Sequence, residues 1–282
     1  MSGTLYVVAT PIGNLEDITL RALRVLREAD VIAAEDTRRT GHLLQHHGIS
    51  SPMVSFHEHN ARTRTAQLIA RLEAGQGVAV VTDAGTPGVS DPGLEIVMKA
   101  IERGIRVEPI PGASAPLAAL VASGFPVLPF TMFGFAPNRA NARSKWLEGV
   151  AQTPHTFSFF EVPHRIRQTL TQAGSLFGIR PIVAARELTK VHQEFVRGTA
   201  AELSEHIKEP RGEYTIIVGP VVNTFKENTI PDSDAMIAGD FWRLTESGLG
   251  SRRAIVKEIA RKSGRTSKEI YSAIERAKNS PE

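Results

Sequence analysis

Short runs of β-branched and small apolar residues recur through the first third of the chain, and each stops abruptly at Gly, Pro, Asp or Thr. Leu5–Thr10, Val31–Ala34, a piece near Val54, Val78–Val81 and Arg106–Ile110 read as strands, and two of them, Val31–Ala34 and Val78–Val81, contain no polar position at all. Strands apolar on both sides belong to a parallel sheet covered by helices on both faces. Between them the period changes. Leu20, Leu23 and Leu26, with Ala22, Val25 and Ala29, recur at three- and four-residue steps and predict a helix over Thr19–Ala29. Further helices are predicted around Thr40–His47, over Ala61–Ala74 and over Leu94–Arg103, so the order is the strand–helix alternation of an α/β domain.

A helix of small residues, Ala113–Ser123, leads into Phe125-Pro126-Val127-Leu128-Pro129, where two prolines in five residues predict a domain boundary. Beyond it the texture is richer in strands: Phe130–Phe135, Thr156–Phe160, Ile182–Arg186, Gln193–Arg197 and Tyr214–Val218, with helices near Arg165–Ser175 and Ala200–Ile207. That pattern predicts a second α/β domain with a mixed sheet. The polar stretch Asn223–Asp234 reads as a linker, and two short helices follow around Ser263–Ser267, with Ser267 as the expected N-cap. The expected organisation is an α/β domain over 1–124, a second over 125–225, and a linker with a helical appendage over 226–282.

Composition narrows the function. No cysteine is present, so disulfides, thiolate metal sites and thiol nucleophiles are absent. No apolar run approaches a membrane span, and the first residues lack an export pattern, so a soluble cytoplasmic protein with no membrane partner is expected. The net charge of +3 is unevenly placed: Gly250–Glu282 carries nine basic and four acidic residues, which leaves the rest of the chain at −2. Arg252, Arg253, Lys257, Arg261 and Lys262 make that tail a candidate polyanion contact.

Four loops share one character. Thr10–Leu15, Asp83–Gly93, Pro109–Ala115 and Phe160–Arg165 each follow a strand and are rich in Gly, Pro and small residues, as the walls of a ligand cleft must be. Gly112 and Ser114 at a helix start offer backbone amides to an anion. The chain has no G-x-G-x-x-G after its first strand and no G-x-x-x-x-G-K-[ST], which disfavours dinucleotide and ATP chemistry.

Taken together, Leu5–Thr19, Ala34–Arg38, Thr82–Gly93, Pro111–Ala115, Phe160–Arg165, Arg186–Lys190 and Gly212–Thr215 resemble the ribosomal RNA small subunit methyltransferase I family, in register from Leu5 to about Val218. The resemblance implies the tetrapyrrole-methylase fold, two α/β domains with S-adenosylmethionine in the cleft between them and a helix-turn-helix-like appendage. It also implies 2′-O-methylation of a cytidine ribose in the decoding region of 16S rRNA, within the small ribosomal subunit or as free RNA, by a homodimer. By position, the cofactor role falls to Pro11, Gly13, Asp83, Ala84, Gly85, Thr86, Pro87, Gly112, Ala113, Ser114, Ala115, Phe160, Glu161, Glu213, Tyr214 and Thr215.

For the chemistry, a ribose hydroxyl needs alignment with the methyl donor and is helped by a base or a nearby cation. Glu35, Asp36, Arg38, His57, Glu58, Arg186, Glu187 and Lys190 are the candidates, with Asp36, Glu35, Lys190 and Arg186 foremost. Asp36 leads because it follows Val31–Ala34, although the same residue can simply cap the next helix. Arg186 and Lys190 either touch substrate or pair with Glu187 and Glu194 across strands. Arg38 and Arg39 are candidate phosphate contacts. His57 and His59 lack a third ligand, so no metal site is expected. Two other readings stay open: a tetrapyrrole (precorrin-type) methyltransferase, which does not need the basic tail, and a non-enzymatic nucleic-acid-binding protein, which does not need the Gly/Pro loops.

Overall fold

The computed structural model describes residues 2–88, 93–221, 233–246, 251–263 and 265–278. It divides into two compact units, Met1–Val221 and Val222–Glu282.

The first unit holds two five-stranded sheets. In the N-terminal one, β1 (Thr4–Val8), β2 (Val31–Ala34), β3 (Met53–Ser55), β4 (Val78–Val81) and β5 (Arg106–Ile110) are all parallel in the order β3-β2-β4-β1-β5. The helices between them are α1 (Leu20–Glu28), α2 (Thr37–His46), α3 (Ala61–Glu73) and α4 (Gly93–Glu102). Alternate residues feed opposite cores: Val31, Ala33, Val78 and Val80 pack on Leu68, Leu72 and Ile96, while Ile32, Ala34, Ala79 and Val81 pack on Val25, Leu26 and Leu44. Burial on both faces is why these strands carry no polar position. Thr19 caps α1 by accepting the Ala22 N–H.

The C-terminal sheet has the order β6-β7-β10-β8-β9, from β6 (Phe130–Phe135), β7 (Thr156–Glu161), β8 (Ile182–Arg186), β9 (Glu194–Gly198) and β10 (Tyr214–Val218). It is mixed: β6 runs parallel to β7, and the other neighbours are antiparallel. One face is covered by α6 (Ala140–Ala151), α7 (Pro163–Phe177) and α8 (Ala200–His206), with Leu147, Ile166, Leu170 and Leu203 in the core. The other face is covered by α5 (Ala115–Ser123), whose Ala119 and Leu120 meet Val183, Ala185 and Ile217. By packing, α5 therefore goes with the second sheet, and the chain crosses between sheets at Pro111–Ser114, ahead of the proline pair at 126 and 129.

Helix α6 is missing from the sequence expectation, and Arg143 explains why. It occupies the buried stripe with Leu147 and Val150, so a charge interrupts the apolar period. Only 1% exposed, its guanidinium donates to Gln172 Oε1, Gln168 Oε1 and the carbonyls of Pro137 and Asn138.

The second unit is a three-helix cluster of α9 (Asp234–Glu246), α10 (Arg252–Ser263) and α11 (Ser267–Lys278) around Ile237, Phe241, Ile255, Ile259, Ile270 and Ile274. Helix α9 begins where the linker was expected to end, and α11 is capped by Thr266 rather than Ser267. The Thr266 hydroxyl accepts the Glu269 N–H, and Glu269 returns a bond to the Thr266 N–H, a reciprocal capping box.

Candidate functional site

The carboxyl ends of β1, β2 and β4 open onto a cavity of about 610 Å³, closed on its other side by the second sheet. Its N-terminal wall is Ile12, Glu35, Arg39 and Thr82–Thr86; Ser114, Ala115 and Pro116 contribute the start of α5. Phe135, Phe160, Glu187, Leu188, Lys190, Gly212, Glu213 and Thr215 complete it. Space of this size suits a cofactor-sized molecule.

The wall after β4 is locked by backbone. Gly85, at φ +89°, donates to the Thr10 carbonyl and accepts the Thr10 N–H, and the Thr10 hydroxyl bonds the Thr82 carbonyl. Gly85 thus spends both its main-chain groups on Thr10 and gives a ligand room rather than hydrogen bonds. Two other glycines serve packing: a Cβ at Gly112 lies 2.9 Å from the Ala9 Cβ, and one at Gly13 lies 2.6 Å from the Leu188 carbonyl oxygen. Neither lines the cavity, nor do Pro11, Pro87 or Ala113. Of the Asp83–Gly93 loop, Val89–Pro92 lies outside the described residues.

On the opposite wall, alternation along β10 sends Glu213 and Thr215 into the cavity and Tyr214 into the α6–α8 core. Glu161 is fully buried and committed inward, accepting from the Val162 N–H, Arg165 and the Thr169 hydroxyl. It supports the cavity wall from behind. The loop after β8 carries Glu187 at φ +50° and Thr189 at φ +66°. Non-glycine residues held there concentrate at ligand sites.

The charged groups sort themselves by geometry. Asp36 does not line the cavity. It caps α2 by accepting the Arg38 N–H at 2.8 Å and holds the Arg38 guanidinium at 2.7 Å. Those contacts, led by the Arg38 side chain, hold its carboxyl well below the usual carboxylate range, which makes it a poor proton acceptor. The capping role is the one realised. Arg186 is likewise paired with Glu194 across β8 and β9, and Lys190 reaches Glu187 at 3.0 Å while still lining the cavity. Glu35 Oε2 accepts from the Thr82 hydroxyl at 2.7 Å and the Asp83 N–H at 3.2 Å. Asp83 accepts the Asp36 N–H and lies 3.3 Å from Arg39. Burial, and then repulsion from Glu35, pushes the Asp83 carboxyl up. Four carboxylates against two cations line the cavity, a balance that favours a ligand with a cationic centre. The α5 N-terminus, whose Ser114 makes no side-chain cap, favours an anionic group beside it.

The description "Tetrapyrrole (Corrin/Porphyrin) Methylases" fits the family profile matching residues 4–204. The protein named ribosomal RNA small subunit methyltransferase I from Halalkalibacterium halodurans is 50% identical, over 77% of this chain and 75% of its own. The one of that name from Streptococcus pyogenes serotype M3 is 41% identical over 96% of this chain and 94% of its own. This chain belongs to the ribosomal RNA small subunit methyltransferase I family of tetrapyrrole methylases. Solved structures in the same fold include uroporphyrin-III C-methyltransferase from Thermus thermophilus complexed with S-adenosylhomocysteine, with a TM-score of 0.55 at 23% identity, covering 79% of this chain and 100% of that one. The methyltransferase CobJ gives a TM-score of 0.59 at 21% identity, covering 78% and 95%.

Ile12, Leu188 and Gly212 line the cavity from inside the motifs without a role assigned to them from sequence, and Pro116 and Phe135 line it from outside them. Each is an apolar or small residue, and none carries a chemical signature of its own.

Proposed function

We propose that this chain transfers the methyl group of S-adenosylmethionine to the 2′-hydroxyl of a cytidine ribose in 16S rRNA. The observation that carries this reading is the acid-rich cavity between the two sheets of a chain 50% identical to a ribosomal RNA small subunit methyltransferase I. When bound, the cofactor supplies an electrophilic methyl on a positively charged sulfur. Asp83 and Glu213 would face that charge, the open start of α5 at Ser114 and Ala115 would take the carboxylate of its amino acid moiety, and Leu188 and Thr215 would line the space for its ring system. The protein's main contribution is alignment, because a displacement on carbon needs the attacking oxygen opposite the leaving sulfur. Glu35, fixed by Thr82 and the Asp83 N–H, accepts the hydrogen bond, and then the proton, of the ribose hydroxyl. Lys190 puts an ammonium beside the developing alkoxide.

RNA reaches the cavity past Arg38 and Arg39, which stand exposed at its edge. In the helical unit Arg252, Arg253 and Lys257 are exposed and provide further phosphate contacts; the side chains of Arg261 and Lys262 lie outside the described residues. We extend the reading to a cytoplasmic protein that forms a homodimer; the exposed stripe Leu94, Met98 and Ile101 on α4 supports the dimer, and light scattering tests it. Among the described residues no helix is long and apolar enough to cross a membrane.

The test is direct. Purified protein is incubated with methyl-tritiated S-adenosylmethionine and small subunits from cells lacking the gene, and the RNA is hydrolysed with alkali. Label in one alkali-resistant dinucleotide of 16S rRNA is expected, since a 2′-O-methyl group blocks cleavage. RNA without label, or label accepted by a tetrapyrrole instead, overturns the proposal.

A further inference from the structure

Strand β6 contains an irregularity whose effect is to move one aromatic ring. In parallel register, Phe130 lies beside Thr156, Thr131 beside Phe157 and Met132 beside Ser158. The next residue, Phe133, enters the core under α6–α8, edge-on to Trp146 at 6.1 Å and to Phe157 at 5.5 Å. Regular alternation would send Phe135 into that same core. Instead the register slips between Met132 and Phe135, with Gly134 at φ +71° absorbing the extra residue. Phe135 comes to lie beside Phe160 on the opposite face, and Ala136 takes the core position at 2% exposure. A one-residue slip reverses which face a side chain occupies, and bulges next to active sites re-aim side chains in this way.

The outcome is a large apolar ring, 42% exposed, on the cavity wall. Its centroid is 5.0 Å from that of Phe160, with the planes 41° apart. The pair is braced from behind. The Ala136 N–H donates to the Phe160 carbonyl at 3.1 Å, and Arg165 ties the Ala136 carbonyl to buried Glu161. Turning Phe135 out of the core forfeits the stabilisation of burying it, and a braced, exposed aromatic pair beside a ligand cavity provides a flat surface for another ring.

We infer that Phe135, backed by Phe160, is the stacking platform for the base of the nucleotide whose ribose is methylated. An enzyme acting on one nucleotide of a folded RNA must hold it out of its own stack, and aromatic side chains replace the lost neighbours. Phe135 stands at the exposed rim, where a macromolecular substrate arrives, while Phe160 lies deeper. Such stacking tolerates any base, so the platform positions the nucleotide without selecting its identity. The inference rests on the RNA reading above.

The experiment compares Phe135→Ala, Phe135→Leu and Phe135→Trp with the native protein, measuring kcat, KM for small subunits, the dissociation constant for S-adenosylhomocysteine, and the melting temperature. Loss of one base stack corresponds to about a 5- to 150-fold rise in KM. Ala and Leu are expected to show that rise, Trp to restore near-native KM, and all three to bind the cofactor product normally. Leu performing as well as Trp would make the residue an apolar filler, and a matching loss of cofactor-product affinity would make it a cofactor contact; either overturns the inference. If the native protein labels RNA and Phe135→Ala keeps its KM, stacking alone fails; if the native protein labels no RNA, the reading beneath it fails as well.

Discussion

Replacing Gly13 with alanine probes the contact that closes the cavity. The added Cβ would stand 2.6 Å from the Leu188 carbonyl oxygen, 2.7 Å from the Lys190 Cγ and 2.8 Å from the Thr189 Oγ1. Lys190 can swing away, but the Leu188 carbonyl is backbone between two residues already at positive φ, so it has little freedom to retreat. The Asn14 N–H, bonded to the Thr189 hydroxyl at 3.0 Å, is pulled from its partner by the same wedge. Overpacking of this kind costs about 2 kcal/mol, which lowers the melting temperature by about 4–8 °C for a unit of this size. Because Leu188 and Lys190 line the cavity, cofactor affinity should fall about tenfold as well, or about 1.4 kcal/mol. Gly149 is the control. It sits in α6 with no atom within 4 Å of an added Cβ, and alanine there should stabilise by about 0.5–1 kcal/mol with affinity unchanged. Calorimetric melts and titration with S-adenosylhomocysteine read both. A Gly13→Ala protein as stable and as tight-binding as the native one would refute the packing of residues 13–14 against 188–190.

Three further outcomes follow from the charges. Asp83 has its carboxyl raised above the ordinary 3.8 by burial and by Glu35, so it costs stability once pH exceeds its folded value and costs nothing below 3.8. Asp83→Asn should therefore melt higher at neutral pH, with the gain shrinking as pH falls toward 3.8 and with weaker cofactor binding throughout; a gain independent of pH would contradict this. Asp36 is held low by Arg38, so its stabilising effect is present at neutral pH and fades on acidification. Asp36→Ala should melt lower yet retain methyl transfer, whereas loss of turnover without loss of stability would return it to the chemistry. Replacing Arg252, Arg253 and Lys257 together by Gln should reduce the salt slope of RNA binding by about 2–3 and leave cofactor affinity alone. An unchanged slope would remove the helical unit from the RNA contact.

Much of this architecture is legible in the chain itself. Val31–Ala34 and Val78–Val81 reveal a doubly covered sheet because nothing polar is tolerated on either face. The Leu20–Glu28 helix announces itself through an unbroken apolar stripe, whereas the Thr19 cap that starts it shows only in the structure. What stays hidden has physical causes. Arg143 occupies a core position by satisfying its guanidinium with glutamine and main-chain oxygens, and so masks α6. Asp36 stands where a catalytic base and a helix cap look the same in sequence, and only the Arg38 contacts separate them. Gly13 and Gly112 sit in the expected loops, but their bareness serves close packing of one segment on another, which sequence cannot distinguish from room for a ligand. Phe135 is misplaced by any reading that assumes strict alternation, because the bulge at Gly134 is visible only in the pairing with β7.

The account turns on what occupies the cavity. A crystal structure of the protein with S-adenosylhomocysteine at saturating concentration tests it most directly. The molecule should lie between Asp83–Thr86, Ser114–Ala115, Leu188 and Glu213–Thr215, with its sulfur toward the carboxylates. The same molecule bound elsewhere, or a cavity that stays empty while solution titration reports binding, would contradict the account.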